Sequence, residues 1–195
     1  MTKPAPPRIY LAGPDVFLPN AHAIGTAKCD VCHDHGLAGV FPLDGELNLD
    51  GLAPAEQARR ISLANEDLMR SCDAIIANMT PFRGAAMDSG TAFEVGFMRA
   101  LGKPVFGYSN VDSDYVDRAN AIRTIGLPAN DFDAADVEIE DFGLAENLMI
   151  AIAVSETGPD VLRHNSTVDT VRTDLAGFRQ AVAAAANRLN AQVSS

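Results

Sequence analysis

The amino-acid sequence predicts a doubly wound α/β fold, in which helices cover both faces of a parallel β-sheet. Short apolar runs of strand length alternate along the chain with longer segments whose apolar residues recur at helical spacing. Runs of this kind are typical of parallel strands that are buried on both faces. Because crossovers between parallel strands are right-handed, we expect a flavodoxin-like sheet with the strand order 2-1-3-4-5.

The first half of the chain contains three predicted strands and two predicted helices. The strands are at residues 8–12, 39–43 and 73–78, and the helices are at residues 20–35 and 54–71. Pro54 suits the first position of its helix, where a missing backbone N–H costs nothing. In that helix we expect Ile61, Leu68 and either Leu63 or Ala64 to face inward.

The second half continues the alternation and ends in a helical extension. We predict a helix at residues 89–101, a strand at 102–107, a weak strand at 137–139, and helices at 140–154 and 167–192. A length of 195 residues favours one domain, spanning residues 1–195. In the extension, residues 156–195, we expect Val182, Ala185 and Leu189 to form one face of the last helix. This face would cap the core or, as the less favoured alternative, extend an oligomer interface.

The charge and composition exclude several classes of function. With 15 basic and 26 acidic residues, the net charge of −11 opposes binding to nucleic acid and to anionic membranes. No apolar run reaches the roughly 18 residues of a membrane span, and the first residues contain no apolar secretory segment. Three cysteines without such a segment favour the cytoplasm. Residues 131–146, with seven acidic and no basic side chains, are expected to form a solvated acidic face or loop.

One short stretch looks like a haem or metal motif. Cys29, Cys32 and His33 fit the C-x-x-C-H pattern of covalent haem attachment, and His35 adds a potential metal ligand. The two cysteines lie one turn apart in a predicted helix, and no second pair of Cys or His has ligand spacing. We therefore expect no metal here and interpret the stretch as part of a helix that packs through Val31 and Cys32.

Ligands of such folds bind beyond the carboxyl ends of the strands, near the switch point between strands 1 and 3. The residues at these ends are 13–15 (Gly-Pro-Asp), 78–80 (Asn-Met-Thr) and 108–110 (Tyr-Ser-Asn). Gly13, Pro14 and Asp15 are therefore candidate substrate-binding residues.

The segment at residues 87–96 carries the strongest chemical signal. It opens a helix at this edge of the sheet and contains two carboxyl groups, Asp88 and Glu94, with the small Gly90 between them to let a ligand approach the backbone. One carboxylate stabilised by the helix dipole and a second carboxyl pushed toward protonation form a nucleophile and acid pair for glycosyl transfer with retention. The alternative is an ordinary N-cap and a solvated glutamate. The helix is apolar on almost all sides, which favours the site interpretation for Glu94.

Five segments of this sequence, in order, resemble the nucleoside 2-deoxyribosyltransferase family over roughly residues 8–150. They are IYLAGPDVF at residues 9–17, NED at 65–67, DAIIAN at 73–78, DSGTAFEVG at 88–96 and NLM at 147–149. The resemblance implies a flavodoxin-like fold and exchange of the base of a 2′-deoxynucleoside with a free nucleobase. It also implies that no cofactor is used and that the protein works as a homo-oligomer.

The resemblance also implies roles for individual residues. Glu94 would attack C1′ of the deoxyribose, and Asp88 would exchange a proton with the departing and incoming base. Tyr10 would hold the carboxylate of Glu94, Asp67 would lie near the base or the general acid, and Phe17 would pack on the base.

Two further residues would belong to the sugar site. Asn147 and Met149 would reach the 5′-hydroxyl of the sugar bound by a neighbouring subunit. The extension from residue 156 has no counterpart in the resemblance.

Three functions remain open at this stage: base exchange, hydrolysis of the N-glycosidic bond of a deoxynucleoside or its 5′-monophosphate, and a non-catalytic nucleotide-binding module. We expect a nucleoside, because Asp15 would repel a phosphate; Arg83 is the main exception, since it could reach a phosphate or a base. The choice between purine and pyrimidine stays open, although the AGPDVF segment resembles the purine-preferring branch. The resemblance further implies that ribonucleosides are poor substrates.

Overall fold

The computed structural model describes residues 5–43, 47–125 and 138–193. These residues form one parallel sheet with the order β2-β1-β3-β4-β5, which confirms the predicted fold class and strand order. The strands are β1 (Arg8–Ala12), β2 (Ala38–Val40), β3 (Ala74–Asn78), β4 (Val105–Ser109) and β5 (Leu162–Arg163). The helices are α1 (Ala21–Asp34), α2 (Pro54–Ser71), α3 (Ser89–Ala100), α4 (Tyr115–Ile125), α5 (Leu148–Ser155) and α6 (Ala176–Val193).

The sheet separates two apolar layers because successive side chains of each strand point to opposite faces. On β1, Tyr10 packs with residues of α2, α3 and α5, whereas Leu11 packs with residues of α1 and α6. Both residues are buried, at 0% and 2% exposed. Tyr10 and helix α3, which carries Glu94, therefore lie on the same face of the sheet.

The fifth strand differs from the prediction. It is formed by Leu162 and Arg163, which pair with Tyr108 and Ser109 of β4. Residues 138 and 139 of the predicted weak strand are not in a strand, and Val137 lies outside the described residues. A strand of two residues is too short to produce a recognisable sequence pattern, so the periodicity could not reveal it.

Two helices begin later than predicted, because side chains cap them further along the chain. α5 begins at Leu148, where the side chain of Asn147 accepts the backbone N–H of Met149 at 3.0 Å. α6 begins at Ala176, whose N–H is accepted by Asp174 at 2.9 Å. Asn147 is the N-cap of α5, a position that asparagine favours, and Asp174 lies two residues before α6, where its carboxylate satisfies a terminal N–H of the helix.

The inward face of α2 was also predicted incorrectly in part. Ile61 and Leu63 are 41% and 45% exposed, whereas Leu68 is half-buried and Met69 is buried. The helix therefore contacts the core through its last two turns, and its earlier apolar residues face outward.

The C-terminal extension packs as predicted. Val182, Ala185 and Leu189 of α6 lie in the apolar layer that also contains Leu11 and Val31. None of the helices within the described residues combines the length and apolar character needed to cross a bilayer.

Candidate active site

The structure brings Tyr10 and Glu94 into direct contact. The hydroxyl of Tyr10, in the middle of β1, donates a hydrogen bond of 2.7 Å to Oε1 of Glu94 in α3. Tyr10 is fully buried, so its ring cannot move away from the strand, and Glu94 is only partly accessible. This contact fixes one oxygen of the Glu94 carboxylate and leaves the other free to interact with a ligand.

Asp88 is the N-cap of α3. Its Oδ2 accepts the backbone N–H of Thr91 at 3.0 Å and the Thr91 hydroxyl at 3.2 Å. A Cβ added at Gly90 would lie 3.0 Å from the same Asp88 oxygen, so the glycine leaves room for the carboxylate. The ordinary capping role considered for Asp88 is therefore real, and it places the carboxyl group at the start of the helix that carries Glu94.

The electrostatics of the pair differ from the sequence-based expectation. Burial raises the pKa of Glu94 from 4.5 to about 7; the hydrogen bond from Tyr10 opposes this rise, and the nearby charge of Asp88 adds to it. The expected scheme kept the nucleophile ionised through the helix dipole. Glu94 lies in the second turn of α3, beyond the terminal N–H groups, so desolvation outweighs the dipole there.

Tyr10 remains a hydrogen-bond donor to Glu94 over the whole working range of pH. Burial raises the pKa of its phenol far above the ordinary value of 10, and the charge of Glu94 raises it further. A phenol that cannot ionise keeps donating to the carboxylate, which holds the two oxygens of Glu94 in distinct environments.

The carboxyl end of β1 forms a buried polar network around Asp15. The Asp15 carboxylate, 3% exposed, accepts Nζ of Lys28 at 2.6 Å and Nδ2 of Asn78 at 3.2 Å. A Cβ at Gly13, where φ is +155°, would lie 2.7 Å from Cβ of Asn78, so only glycine allows this close approach. Since Lys28 neutralises Asp15, the expectation that Asp15 repels a phosphate loses its basis.

A cleft of about 160 Å³ opens next to this network. Its walls come from Pro14, Asp15, Leu18, Asn78, Thr80, Pro81, Phe82, Arg83, Val171 and Arg172. It adjoins the predicted substrate-binding residues Pro14 and Asp15, whereas Asp88 and Glu94 do not line it. Two of its residues, Val171 and Arg172, belong to the C-terminal extension, for which the sequence offered no role in a site.

Phe17 lies beside this cleft and is not a core residue. It is 55% exposed and stacks on Phe82, with ring centroids 5.5 Å apart and planes inclined by 12°. The guanidinium of Arg83 lies over both rings, 5.1 Å from Phe17 and 4.6 Å from Phe82. The result is an exposed planar surface, which suits stacking of a flat heterocycle.

Three predicted site residues are not brought to the carboxylate pair within this chain. Asp67 is an exposed side chain of α2, and within the described ranges no hydrogen bond connects it to Asp88 or Glu94. Asn147 caps α5, and Met149 is 72% exposed. The roles of these residues remain predictions.

Three buried charged residues near the site were missed in the sequence. Lys28 falls on the inward side of α1, a position where a lysine signals a buried partner. Glu146 belongs to the run that was expected to be solvated, yet it is 2% exposed and pairs with Arg118 at 3.6 Å. Among the described acidic residues of that run, Glu146 is the one that is buried, and the acidity of its neighbours concealed it.

The C-x-x-C-H stretch lies within α1. Val31 and Cys32 are buried, as predicted, while His33 and His35 are exposed. Cys29 lies 3.6 Å from the carbonyl oxygen of Gly39. Across the described ranges, no three His, Cys, Asp or Glu side chains are grouped so that they could hold a metal ion.

Comparison with known families identifies the family of this chain. A sequence model described as nucleoside 2-deoxyribosyltransferase matches residues 9–149, which is well over half of the chain and includes Tyr10, Asp88 and Glu94. The chain belongs to the nucleoside 2-deoxyribosyltransferase family. The match ends at Met149, so the C-terminal extension lies beyond the part that defines the family.

Individual proteins and structures also resemble this chain. A 2-deoxyribosyltransferase structure from Leishmania mexicana is 30% identical, with a TM-score of 0.58, and the match covers 90% of this chain and 98% of that one. An uncharacterised protein of Schizosaccharomyces pombe is 32% identical over 200 residues, covering 95% of this chain and 92% of the relative. A conserved protein of Enterococcus faecalis, 17% identical with a TM-score of 0.52, covers 92% of this chain and 98% of its own and shares the fold.

Proposed function

We propose that this member of the nucleoside 2-deoxyribosyltransferase family exchanges the nucleobase of 2′-deoxyribonucleosides through a covalent deoxyribosyl-Glu94 intermediate, with retention at C1′. The observation that carries the proposal is the 2.7 Å hydrogen bond between Tyr10 and Glu94, next to the carboxyl group of Asp88. A non-catalytic binding module has no need for a buried carboxylate held by a phenol, because burying it costs free energy.

The reaction divides into two half-reactions of the same kind. In the first, the free oxygen of ionised Glu94 forms a bond to C1′ as the C1′–N bond breaks, and Asp88 gives a proton to the departing base. In the second, an incoming base forms the new C1′–N bond, its proton passes to Asp88, and the ester bond to Glu94 breaks. Two displacements at the same carbon restore the original configuration.

Binding of the substrate is assigned to the surroundings of this pair. The stacked rings of Phe17 and Phe82 would hold the base, with Gly13, Pro14, Asp15 and Gly90 at the substrate cleft. Asn147 and Met149 would reach the sugar of a neighbouring subunit in a homo-oligomer. The exposure of Met149, at 72%, is consistent with a residue that serves another copy of the chain.

A single incubation tests the reaction. Deoxyinosine and adenine are mixed with the protein, and the products are separated by chromatography. We expect deoxyadenosine and hypoxanthine in equal amounts. Hypoxanthine without deoxyadenosine would mean that water takes the sugar, and no turnover of any deoxynucleoside or deoxynucleotide would contradict every enzymatic assignment.

A parallel incubation addresses hydrolysis of a 5′-monophosphate, the second candidate function. It is favoured by the pairing of Asp15 with Lys28 at 2.6 Å, which removes the expected repulsion, and by Arg83 and Arg172 in the cleft walls. Deoxyinosine 5′-monophosphate replaces deoxyinosine under otherwise equal conditions. Faster release of hypoxanthine from the monophosphate than from the nucleoside would support this second candidate.

The pH dependence of catalysis follows from the pKa of Glu94. Because kcat/KM reports the ionisation of the free enzyme, and Glu94 must be ionised to attack, the rising limb of kcat/KM against pH should have its midpoint at about pH 7. Steady-state rates with deoxyinosine between about pH 5.5 and 8 measure this curve. Tyr10→Phe removes the hydrogen bond that lowers the pKa, so its curve should lie at higher pH. An unchanged curve in Tyr10→Phe would contradict the assignment.

A further inference from the structure

Glu146 is a buried carboxylate that touches neither Glu94 nor the cleft. Its Oε2 accepts the backbone N–H of Met87 at 2.8 Å, and its Oε1 accepts the backbone N–H of Asn147 at 3.0 Å. Met87 is the residue immediately before Asp88. A single side chain, 2% exposed, therefore connects the β3–α3 loop (residues 79–88) to the start of α5.

Arg118 of α4 holds this carboxylate and the same loop. Its Nη2 lies 3.6 Å from Oε2 of Glu146, and its guanidinium donates to the carbonyl oxygens of Ala85, Ser113 and Ala145 at 2.8, 2.5 and 2.6 Å. The Arg118 side chain is 10% exposed and that of Glu146 is 1% exposed. The pair is thus a buried ion pair whose remaining hydrogen-bonding groups are used on the backbone, the arrangement in which such pairs hold a defined geometry.

These contacts determine where Asp88 lies. Downstream, Asp88 is bound to the first turn of α3 through Thr91. Upstream, the loop is held at Ala85 by Arg118 and at Met87 by Glu146. A group that transfers a proton must lie within hydrogen-bond reach of its target, and a displacement of 1 Å costs about 100-fold in rate.

We infer that Glu146, held by Arg118, is a positioning residue that fixes Asp88 for proton transfer to the leaving base. The inference rests on the proposed function, in which Asp88 is the acid. Glu146 acts through the backbone of Met87 and does not touch the substrate. It also holds Asn147 by its backbone N–H, so the acid and the predicted 5′-hydroxyl site share one support.

The test compares two leaving groups. Deoxyguanosine needs a proton on its departing base, whereas 7-methyl-deoxyguanosine carries a cationic base that leaves without one. Glu146→Ala should lower kcat for deoxyguanosine by about 10–100-fold, with little change in KM, and kcat for the methylated substrate by less than about threefold. Asp88→Asn should give the same selectivity, and adding Glu146→Ala to Asp88→Asn should cause little further loss. Equal losses for both substrates, or additive losses in the double variant, would overturn the inference.

Glu140→Gln is the matched control. Glu140 accepts the backbone N–H of Leu148 at 2.9 Å and a side-chain N–H of Asn147, so it supports the same start of α5, but in the described part of the chain no hydrogen bond connects it to the β3–α3 loop. We expect Glu140→Gln to change kcat for both substrates by the same factor. If it reproduced the leaving-group selectivity, the effect would not come through Met87 and the inference would be wrong.

Glu146→Ala leaves Arg118 buried without its partner and could unfold the protein. A second variant therefore tests the same role without an unpaired buried charge. Glu146→Gln combined with Arg118→Met removes both charges and loses the contact of Arg118 with Ala85, so it should show the same selectivity in a folded protein. Wild-type protein that turns over neither a purine nor a pyrimidine deoxynucleoside would contradict the proposed function. Turnover by the wild type with equal losses in the variants would contradict only the role of Glu146.

Discussion

Glu94→Ala should abolish base exchange, with a loss in kcat of about 10⁴-fold or more, the scale seen when an enzymatic nucleophile is removed. Without the carboxylate, no ester to C1′ forms, so the sugar is not trapped on the protein. Glu94→Gln should be equally inactive, because an amide is a poor nucleophile of nearly the same size. Rates of deoxyadenosine formation and the mass of the protein after denaturation in the presence of substrate measure the two effects.

Glu94→Gln should also stabilise the folded protein at alkaline pH. The pKa of Glu94 is about 7 in the folded state and 4.5 as the ordinary value, so the folded state binds more protons between these two values. Stability from this group is therefore present below pH 4.5 and is lost as pH rises toward 7. Glu94→Gln removes this loss, and we expect a gain of about 1–3 kcal/mol in the free energy of unfolding at pH 8.

Urea unfolding at pH 8 and at pH 4 separates this explanation from general stabilisation. At pH 4 the wild-type carboxyl is already protonated, so the difference between wild type and Glu94→Gln should nearly disappear. A gain of the same size at both pH values would show that the stabilisation comes from packing. Near-wild-type exchange by Glu94→Ala would show that another group attacks C1′.

The sequence predicted the sheet and the carboxylate pair because both leave local signals. Strands buried on both faces are apolar runs, and a carboxyl group such as Glu94 in an otherwise apolar helix is conspicuous. The strand order then follows from the handedness of crossovers rather than from any particular residue. Buried strands, a carboxyl group in an apolar helix and the strand order depend on a few neighbouring residues or on general rules. A single sequence is therefore sufficient to predict them.

The missed features depend on contacts between distant residues. Asp15 appeared to be an exposed repulsive charge until the structure placed Lys28, 13 positions along the chain, at 2.6 Å from it. Glu146 appeared solvated until its contact with Met87, 59 positions away, was known. Whether a charged side chain repels a ligand or is neutralised depends on its burial and on its ion-pair partners, and the local sequence predicts neither.

Lys28→Met should destabilise the fold strongly. Lys28 is 2% exposed, its Nζ lies 2.6 Å from Asp15, and it lies 5.6 and 5.2 Å from the ring centroids of Tyr108 and Phe178. Methionine keeps the apolar contacts but leaves the Asp15 carboxylate buried without a counter-charge. Breaking a buried ion pair in this way costs about 3–5 kcal/mol, which is a large part of the stability of a typical domain.

The double variant Lys28→Met with Asp15→Asn decides whether the cost comes from the unpaired charge. Removing both charges leaves no buried ion, so this variant should recover most of the lost stability, since well-packed neutral replacements of ion pairs are often tolerated. Urea unfolding at pH 7 measures the free energy of unfolding of the wild type and both variants. If the double variant is no more stable than Lys28→Met, the stability that Lys28 supplies comes from packing against the two rings and not from its charge.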